Sequence, residues 1–349
     1  MKKIIIGLIV LAALVLGAIY FLNNLLVKKE KSLITEKPLI IGFSMGTTHE
    51  ERWFKDRDLF MQRAQELGAI VSVTLSDYDF EKQIYQIENL ISQGASVIVV
   101  IPSDSEKIAP AIEKANQAGV KIIAYDRLIK NSNVDLYISF ENVKVGELQA
   151  ESITAVVGQG KFAYIGGAPT DNNAFLLKEG TMNIINQKIQ DGEIKLVIDQ
   201  FTNDWKSEEA YKTIKDYLNS GGKLDAVIAA NDGTASGVIQ ALKEKGLAGK
   251  IPVSGQDAEL SAAQRIVAGT QTSTVYKTIV SLAYKAAEIA VAMANNQPLN
   301  IIDFIDNGKI QVPAYFLEPI VVDKKNMMRT IVKDGFHSYE EVYKSSVKQ

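Results

Sequence analysis

The residue types able to do chemistry in this chain fall at the carboxyl ends of short apolar runs. They are Asp126-Arg127, Asn231-Asp232, Gln256-Asp257, Lys277 and the run Asp171-Asn172-Asn173. The only two tryptophans, Trp53 and Trp205, stand at comparable places, one opening a helical segment and one in the loop Thr202-Asn203-Asp204-Trp205. Carboxylates, amides, a guanidinium and an ammonium are what a polyhydroxylated ligand needs. Each ring hydroxyl both donates and accepts, and a charge-assisted hydrogen bond contributes about 1.5–3 kcal/mol. The C–H faces of a sugar ring suit flat aromatic planes, and Trp offers large area at low entropic cost. Two alternatives stand beside this reading. An Asp at a strand end is often only the N-cap of the next helix, and Trp53 could be a hydrophobic staple. Asp126, Asp232 and Asp257 around one sugar could also be the acid and nucleophile of a glycosidase. Arg127 and Lys277 beside them would keep the carboxylates ionised, which suits binding and opposes a general acid.

The elements that must carry these residues alternate between two periodicities. Short β-branched runs at Leu39–Met45, Ile70–Leu75, Val97–Ile101, Lys121–Tyr125 and Asp135–Phe140 are separated by helical patterns at Arg52–Leu67, Phe80–Ser92 and Ser105–Gln117. The pattern restarts, with strands at Lys161–Ile165, Ile194–Gln200, Ala226–Ala230, Ile251–Ser254 and Thr272–Tyr276 and helices near Asn173–Gln187, Ser207–Asn219, Ala235–Lys245 and Ala258–Val267. Nearly all-apolar strands alternating with helices mean parallel sheets covered on both faces, with ligands outside the strands' carboxyl ends. The fold class is therefore α/β, two doubly wound lobes joined by a multi-stranded hinge. Thr278–Asn295, Ile301–Ile305 and Tyr315–Val322 are left to complete either lobe. The division expected is 38–145 with 278–308 for the first lobe and 146–277 with 309–349 for the second.

Composition sets the outer bounds. Of 349 residues 47% are hydrophobic and 23% charged, an ordinary folded composition, and Lys+Arg 38 against Asp+Glu 41 leaves no positive field for nucleic acid. Cysteine is absent, which excludes disulfides, thiolate metal sites, a thiol nucleophile and a lipid-modified cysteine. The two histidines, His49 and His337, read as surface loop residues, so neither a histidine-based triad nor a metal or cofactor site is expected. The Gly158-Gln159-Gly160 cluster precedes a strand and is no dinucleotide loop.

Residues 1–27 decide the compartment. The 19 uncharged residues Ile4–Leu22 would span about 28 Å as a helix, close to a bilayer core. The run ends in Ile19-Tyr20-Phe21-Leu22 without a small-x-small site, which favours an uncleaved anchor over a cleaved signal. Residues 28–37 are then a charged tether, and the folded part lies outside the cytoplasm. A transcription repressor would carry a basic helix-turn-helix in this place.

Several stretches resemble a known family: Glu51-Arg52-Trp53-Phe54-Lys55-Asp56-Arg57-Asp58, Ala124-Tyr125-Asp126-Arg127, Lys144-Val145-Gly146-Glu147-Leu148-Gln149-Ala150, Asp171-Asn172-Asn173-Ala174, Ser254-Gly255-Gln256-Asp257-Ala258 and Ala268-Gly269-Thr270-Gln271-Thr272 through Lys277. They look like the D-xylose-binding members of the bacterial periplasmic sugar-binding proteins, from about Pro38 to the segment ending at His337. The resemblance implies a two-lobed protein closing on one xylopyranose, with Trp53 and Trp205 sandwiching the ring. Matched position by position, its site is Arg52, Trp53, Asp126, Arg127, Asn173, Trp205, Asn231, Asp257 and Lys277, with Asp232 and Asn172 behind them. Two departures stand out: the first strand ends in the uncharged loop Ser44-Met45-Gly46-Thr47-Thr48-His49, and a protein anchor stands where relatives carry a lipidated cysteine or cleaved signal. The expected partner is a membrane protein. A sensor histidine kinase of a two-component system is preferred to the permease of an ABC importer, because a spanning helix with Gly7, Ala12, Ala13 and Gly17 can pack against another helix.

Overall fold

A computed structural model describes residues 15–24 and 38–343. Residues 15–24 are helical. Most of the run Ile4–Leu22, expected to cross a membrane, lies outside the described residues, as does the tether 28–37. Among the described residues no helix is long and apolar enough to cross a membrane.

From Leu39 onward two lobes follow the predicted alternation. The first begins with β1 (Leu39–Met45), α1 (Arg52–Glu66), β2 (Ala69–Leu75), α2 (Phe80–Ser92), β3 (Val97–Ile101), α3 (Ala109–Gln117), β4 (Lys121–Tyr125) and β5 (Leu136–Phe140). The second contains α4 (Asn142–Thr154), β6 (Gly160–Gly166), α5 (Asn172–Gln190), β7 (Ile194–Phe201), α6 (Ser207–Asn219), β8 (Ala226–Ala229), α7 (Asp232–Glu244), α8 (Leu260–Ala268) and β9 (Thr274–Tyr276). Then come α9 (Ile279–Ala294), β10 (Asp303–Asp306), β11 (Gln311–Leu317), β12 (Ile320–Val322) and α10 (Tyr339–Tyr343).

The first sheet has the order β10-β11-β5-β4-β3-β1-β2. β1 pairs in parallel with β3, β3 with β4, β4 with β5 and β5 with β11, while β10 lies antiparallel at the edge. All five residues of β3 are buried because both faces are covered. Ile98 and Val100 meet Ile87, Leu90 and Ile112 of α2 and α3 on one face. On the other, α1 and α9 pack together, and Phe43 contacts Phe60 and Tyr125. The second sheet runs β7-β6-β8, extends through a bridge between Val227 and Val253 and one between Gln256 and Val275, and ends in the antiparallel pair β9–β12. Here α4 and α5 approach so closely that a Cβ on Gly146 would lie 2.0 Å from the Leu177 carbonyl oxygen.

Among the described residues the chain passes between lobes three times, from β5 to α4, from β9 to α9 and from β11 to β12. The last passage corrects the expected boundary, which gave 309–349 to the second lobe. β11 belongs to the first sheet, beside β5, and only β12 returns to the second. The run Tyr315–Val322, left to complete either lobe, is interrupted by Glu318-Pro319 and serves both, and Pro319 cannot donate to a ladder. Pro110 likewise explains why the helix expected from Ser105 starts at Ala109, since proline is tolerated only in a first turn. Ile251–Ser254 makes isolated bridges and no full strand. His337 is buried, its Nε2 2.8 Å from the Ala258 carbonyl oxygen, and so is not the surface residue expected.

Candidate functional site

The nine residues selected from the sequence line a single narrow cavity between the lobes, with a volume of about 20 Å³. The first lobe contributes Arg52 and Trp53 from the start of α1 and Asp126 and Arg127 after β4. The second contributes Asn173 from the first turn of α5, Trp205 before α6, Asn231 before α7 and Asp257 after the Val253 bridge. Lys277 stands at the second interlobe passage.

Local backbone chemistry aims these groups. Asp126, Trp205 and Asp257 all have left-handed φ angles, 62°, 57° and 88°. Non-glycine residues persist there, at about 1–3 kcal/mol each, only when surrounding structure over-determines them. For Asp126 the surroundings are explicit: its carbonyl oxygen accepts from Tyr137 Oη at 3.0 Å, Ser139 Oγ at 2.8 Å and Asn173 Nδ2 at 2.9 Å. The Trp205 indole lies directly on the backbone of Gly167, where an added Cβ would sit 2.1 Å from the ring. Trp205 also packs with Val145, Ala168, Ala174, Leu177, Ala230 and Val275, so it is partly a core residue.

The charges form a closed network. Arg52 Nη1 is 2.9 Å from Asp126 and 3.5 Å from Asp257, and its Nε donates to Asp56 at 3.0 Å. Lys277 Nζ is 3.0 Å from Asp257 and 3.7 Å from Asp126. Arg127 Nε meets Asp171 of the opposite lobe at 2.9 Å. Burial alone would push the Asp126 carboxyl up, but Arg52, Lys277 and Arg127 outweigh it and hold the group below its ordinary value. Burial disfavours the charge on Arg52, yet Asp126, Asp56 and Asp257 raise its pKa well above normal. Asp56, beneath Arg52 and bonded by Tyr125 Oη, is pushed up by burial, as is Asp171 despite Arg127.

Around the cavity three buried polar atoms have neither a hydrogen-bond nor an ion-pair partner among the described residues. Arg127 Nη1 and Trp205 Nε1 are donors and Gln256 Oε1 is an acceptor, while Arg52 Nη1, Asp126 Oδ2 and Asp257 Oδ1 are engaged only in the ion pairs above. Such groups are costly when left unmade, so their gathering points to a ligand carrying several donor–acceptor groups.

Three lining residues lie outside the set chosen from the sequence: Glu50, Asp171 and Gln256. Asp171 reads as a helix cap, and it is one, its Oδ1 accepting from Asn173 N at 2.9 Å while its Oδ2 faces Arg127. Asn231 is likewise both lining residue and cap, within a capping box with Thr234. Glu50 is the acidic residue that the loop through His49 lacks, and its Oε2 accepts from Trp53 Nε1. Asp232 and Asn172 do not line the cavity. Asp232 is buried beneath α7, accepting from Gln271, Thr274 and Glu259 N, and Asn172 lines a separate depression near Ser105 and Thr170.

Comparison with known proteins agrees with this architecture. Residues 41–298 match the model of the periplasmic binding protein domain. The chain belongs to the periplasmic binding protein family. It is 47% identical over 308 residues to the D-xylose-binding periplasmic protein of Haemophilus influenzae, covering 88% of this chain and 93% of that one. It is 45% identical over 307 residues to the protein of the same name from Escherichia coli, with the same coverage. Among solved structures, an ABC transporter solute binding protein from Clostridium phytofermentans with bound β-D-glucose superposes with a TM-score of 0.82. That match has 27% identity and covers 87% of this chain and 99% of that one. The family's two-lobed α/β architecture is the one described above.

Proposed function

We propose that this chain is an extracytoplasmic sugar-binding protein, not an enzyme, whose ligand is a single D-xylopyranose held between the two lobes. The observation that carries the reading is the set of three unpartnered donors and acceptors, on Arg127 of the first lobe and Trp205 and Gln256 of the second, in one charged cavity walled by both tryptophans. Relatives at 45–47% identity named for D-xylose support the choice of sugar. The lining acids Glu50, Asp126, Asp171 and Asp257 are tied to Arg52, Arg127 and Lys277, so the cavity suits a neutral polyol better than a sugar phosphate. Catalysis is disfavoured by the same pairing. Asp126 is held ionised, and Asp171, whose carboxyl is raised, is engaged as a helix cap and in its ion pair.

The mechanism is a population shift. Sugar contacts both lobes only when they are closed, and reversing a 99:1 open preference takes about 5.5 kcal/mol of differential affinity. Several charged hydrogen bonds at about 1.5–3 kcal/mol each, with two indole faces, supply that amount. The closed surface is then what a membrane partner reads. The apolar run Ile4–Leu22 favours an uncleaved single-pass anchor and presentation of the closed form to a sensor histidine kinase. Similarity to a solute binding protein of an ABC transporter favours the second reading, delivery to an importer.

Small-angle scattering with and without D-xylose tests the closure, with a smaller radius of gyration expected on adding sugar. An unchanged radius at saturating sugar contradicts it. Co-expression with a candidate kinase or permease in membranes, followed by xylose-dependent kinase activity or uptake, separates the two partners.

A further inference from the structure

Glu50 is buried at the junction of three groups that the sugar-binding reading does not explain by themselves. Its Oε2 accepts from Trp53 Nε1, its Oε1 lies 3.6 Å from Arg127 Nη2, and its backbone carbonyl accepts from Trp53 N at 3.3 Å. Trp53 is only 2% exposed, with the Arg52 guanidinium 4.4 Å and that of Arg127 5.4 Å from its ring centroid. An indole flanked by two cations is drawn toward them by its π face. The direction of the N–H is therefore what decides how the ring plane is turned, and Glu50 is its hydrogen-bonding partner.

Arg127 meets carboxylates from two sides. Glu50 reaches it from its own lobe, and Asp171 reaches it across the cleft at 2.9 Å. Its Nη2 also donates to Tyr78 Oη at 3.4 Å, and its Nη1 is one of the cavity's unpartnered donors. The Glu50 contact and the Tyr78 bond come from within the first lobe, so they exist independently of closure. A guanidinium held this way keeps its free nitrogen aimed at the cavity while the lobes move.

We infer that Glu50 is a positioning residue of the sugar site. It turns the Trp53 indole through its Nε1–H and holds Arg127 toward the cavity, so that the first-lobe half of the site is set before the second lobe arrives. This inference rests on the sugar-binding reading for its consequence, but the positioning itself can be observed without any sugar.

The test uses the two indole N–H resonances of the ¹⁵N-labelled chain, Trp205→Phe assigning them. In the unliganded protein the Trp53 indole proton is expected downfield and slow to exchange, as a carboxylate-bonded N–H should be. In Glu50→Leu it moves upfield and exchanges faster, while the Trp205 resonance stays in place and reports an intact fold. Glu50→Gln, which keeps an acceptor without the charge, restores much of the Trp53 signal. In the same variants D-xylose affinity falls by about thirtyfold for Leu, roughly 2 kcal/mol, with part of that recovered by Gln. A Trp53 resonance unmoved in Glu50→Leu overturns the inference, and so does a Gln variant as perturbed as the Leu variant. If the wild-type chain binds no sugar, the functional reading falls while the indole resonances still decide the positioning.

Discussion

Asp257→Asn separates the charge at the centre of the cavity from its shape. Asp257 comes from the second lobe, and its Oδ1 faces Lys277 at 3.0 Å and Arg52 of the first lobe at 3.5 Å. Asparagine fills the same volume and tolerates the left-handed backbone found here, φ 88°. Two effects then add. A charged acceptor for a sugar hydroxyl becomes neutral, losing about 1–1.5 kcal/mol. The attraction between Asp257 and Arg52 across the cleft is also lost. At 3.5 Å and an effective dielectric of 20 it is about 5 kcal/mol gross, mostly offset by the cost of desolvating the pair. The net expectation is about 1.5–3 kcal/mol, a roughly 10- to 150-fold rise in Kd for D-xylose. Asp257→Ala should do worse on both counts, leaving Lys277 and Arg52 short of a carboxylate and placing a β-carbon at positive φ without a polar side chain. Calorimetric titration gives the affinity, and thermal unfolding without sugar shows whether stability has changed separately. An Asn variant that binds as tightly as wild type would refute the assignment of this carboxylate to the ligand.

Substitutions at three other positions follow from the same structure. Trp205→Phe should weaken sugar binding by about 1–3 kcal/mol in calorimetry. Trp205→Ala should also lower thermal stability, because the indole packs against Val145, Leu177 and Val275. Gly167→Ala, whose Cβ would strike the Trp205 ring, should displace that indole and weaken binding at least as much as Trp205→Phe; equal affinities for Gly167→Ala and wild type would count against the indole's position. Burial raises Asp232 to about 7 and, helped by Asp232 and Asp257, Glu259 to about 8. Both lie above their unfolded values, so the folded state binds more protons and stability should fall as pH rises from about 4 through 7 to 8. Asp232→Asn should flatten that slope in chemical unfolding, and an unchanged slope would show the group is not responsible.

Much of this was legible because strand ends and helix starts are marked by residue type. Asp126-Arg127 and Gln256-Asp257 follow short apolar segments, and in a doubly wound sheet such positions converge. What escaped was of three kinds. Asp171 does two tasks with one side chain, capping a helix and lining the cavity beside Arg127, and a sequence shows only the first. Glu50 lies in a loop, where its partner Trp53 is three residues away and the geometry of the turn decides whether they meet. The end of the first lobe was misplaced because the apolar run through Leu317 and Ile320 continues across a lobe passage, with only Glu318-Pro319 to mark it. Asp232 shows the converse: it stands beside a lining residue, but its carboxylate turns inward to Gln271 and Thr274.

The central claim is that this cavity binds D-xylose, and calorimetric titration with D-xylose, D-ribose, L-arabinose and D-glucose in parallel tests it most directly. The account predicts one-to-one binding of D-xylose, tighter than the other three and without turnover of the sugar. Absence of binding to any of the four would contradict it.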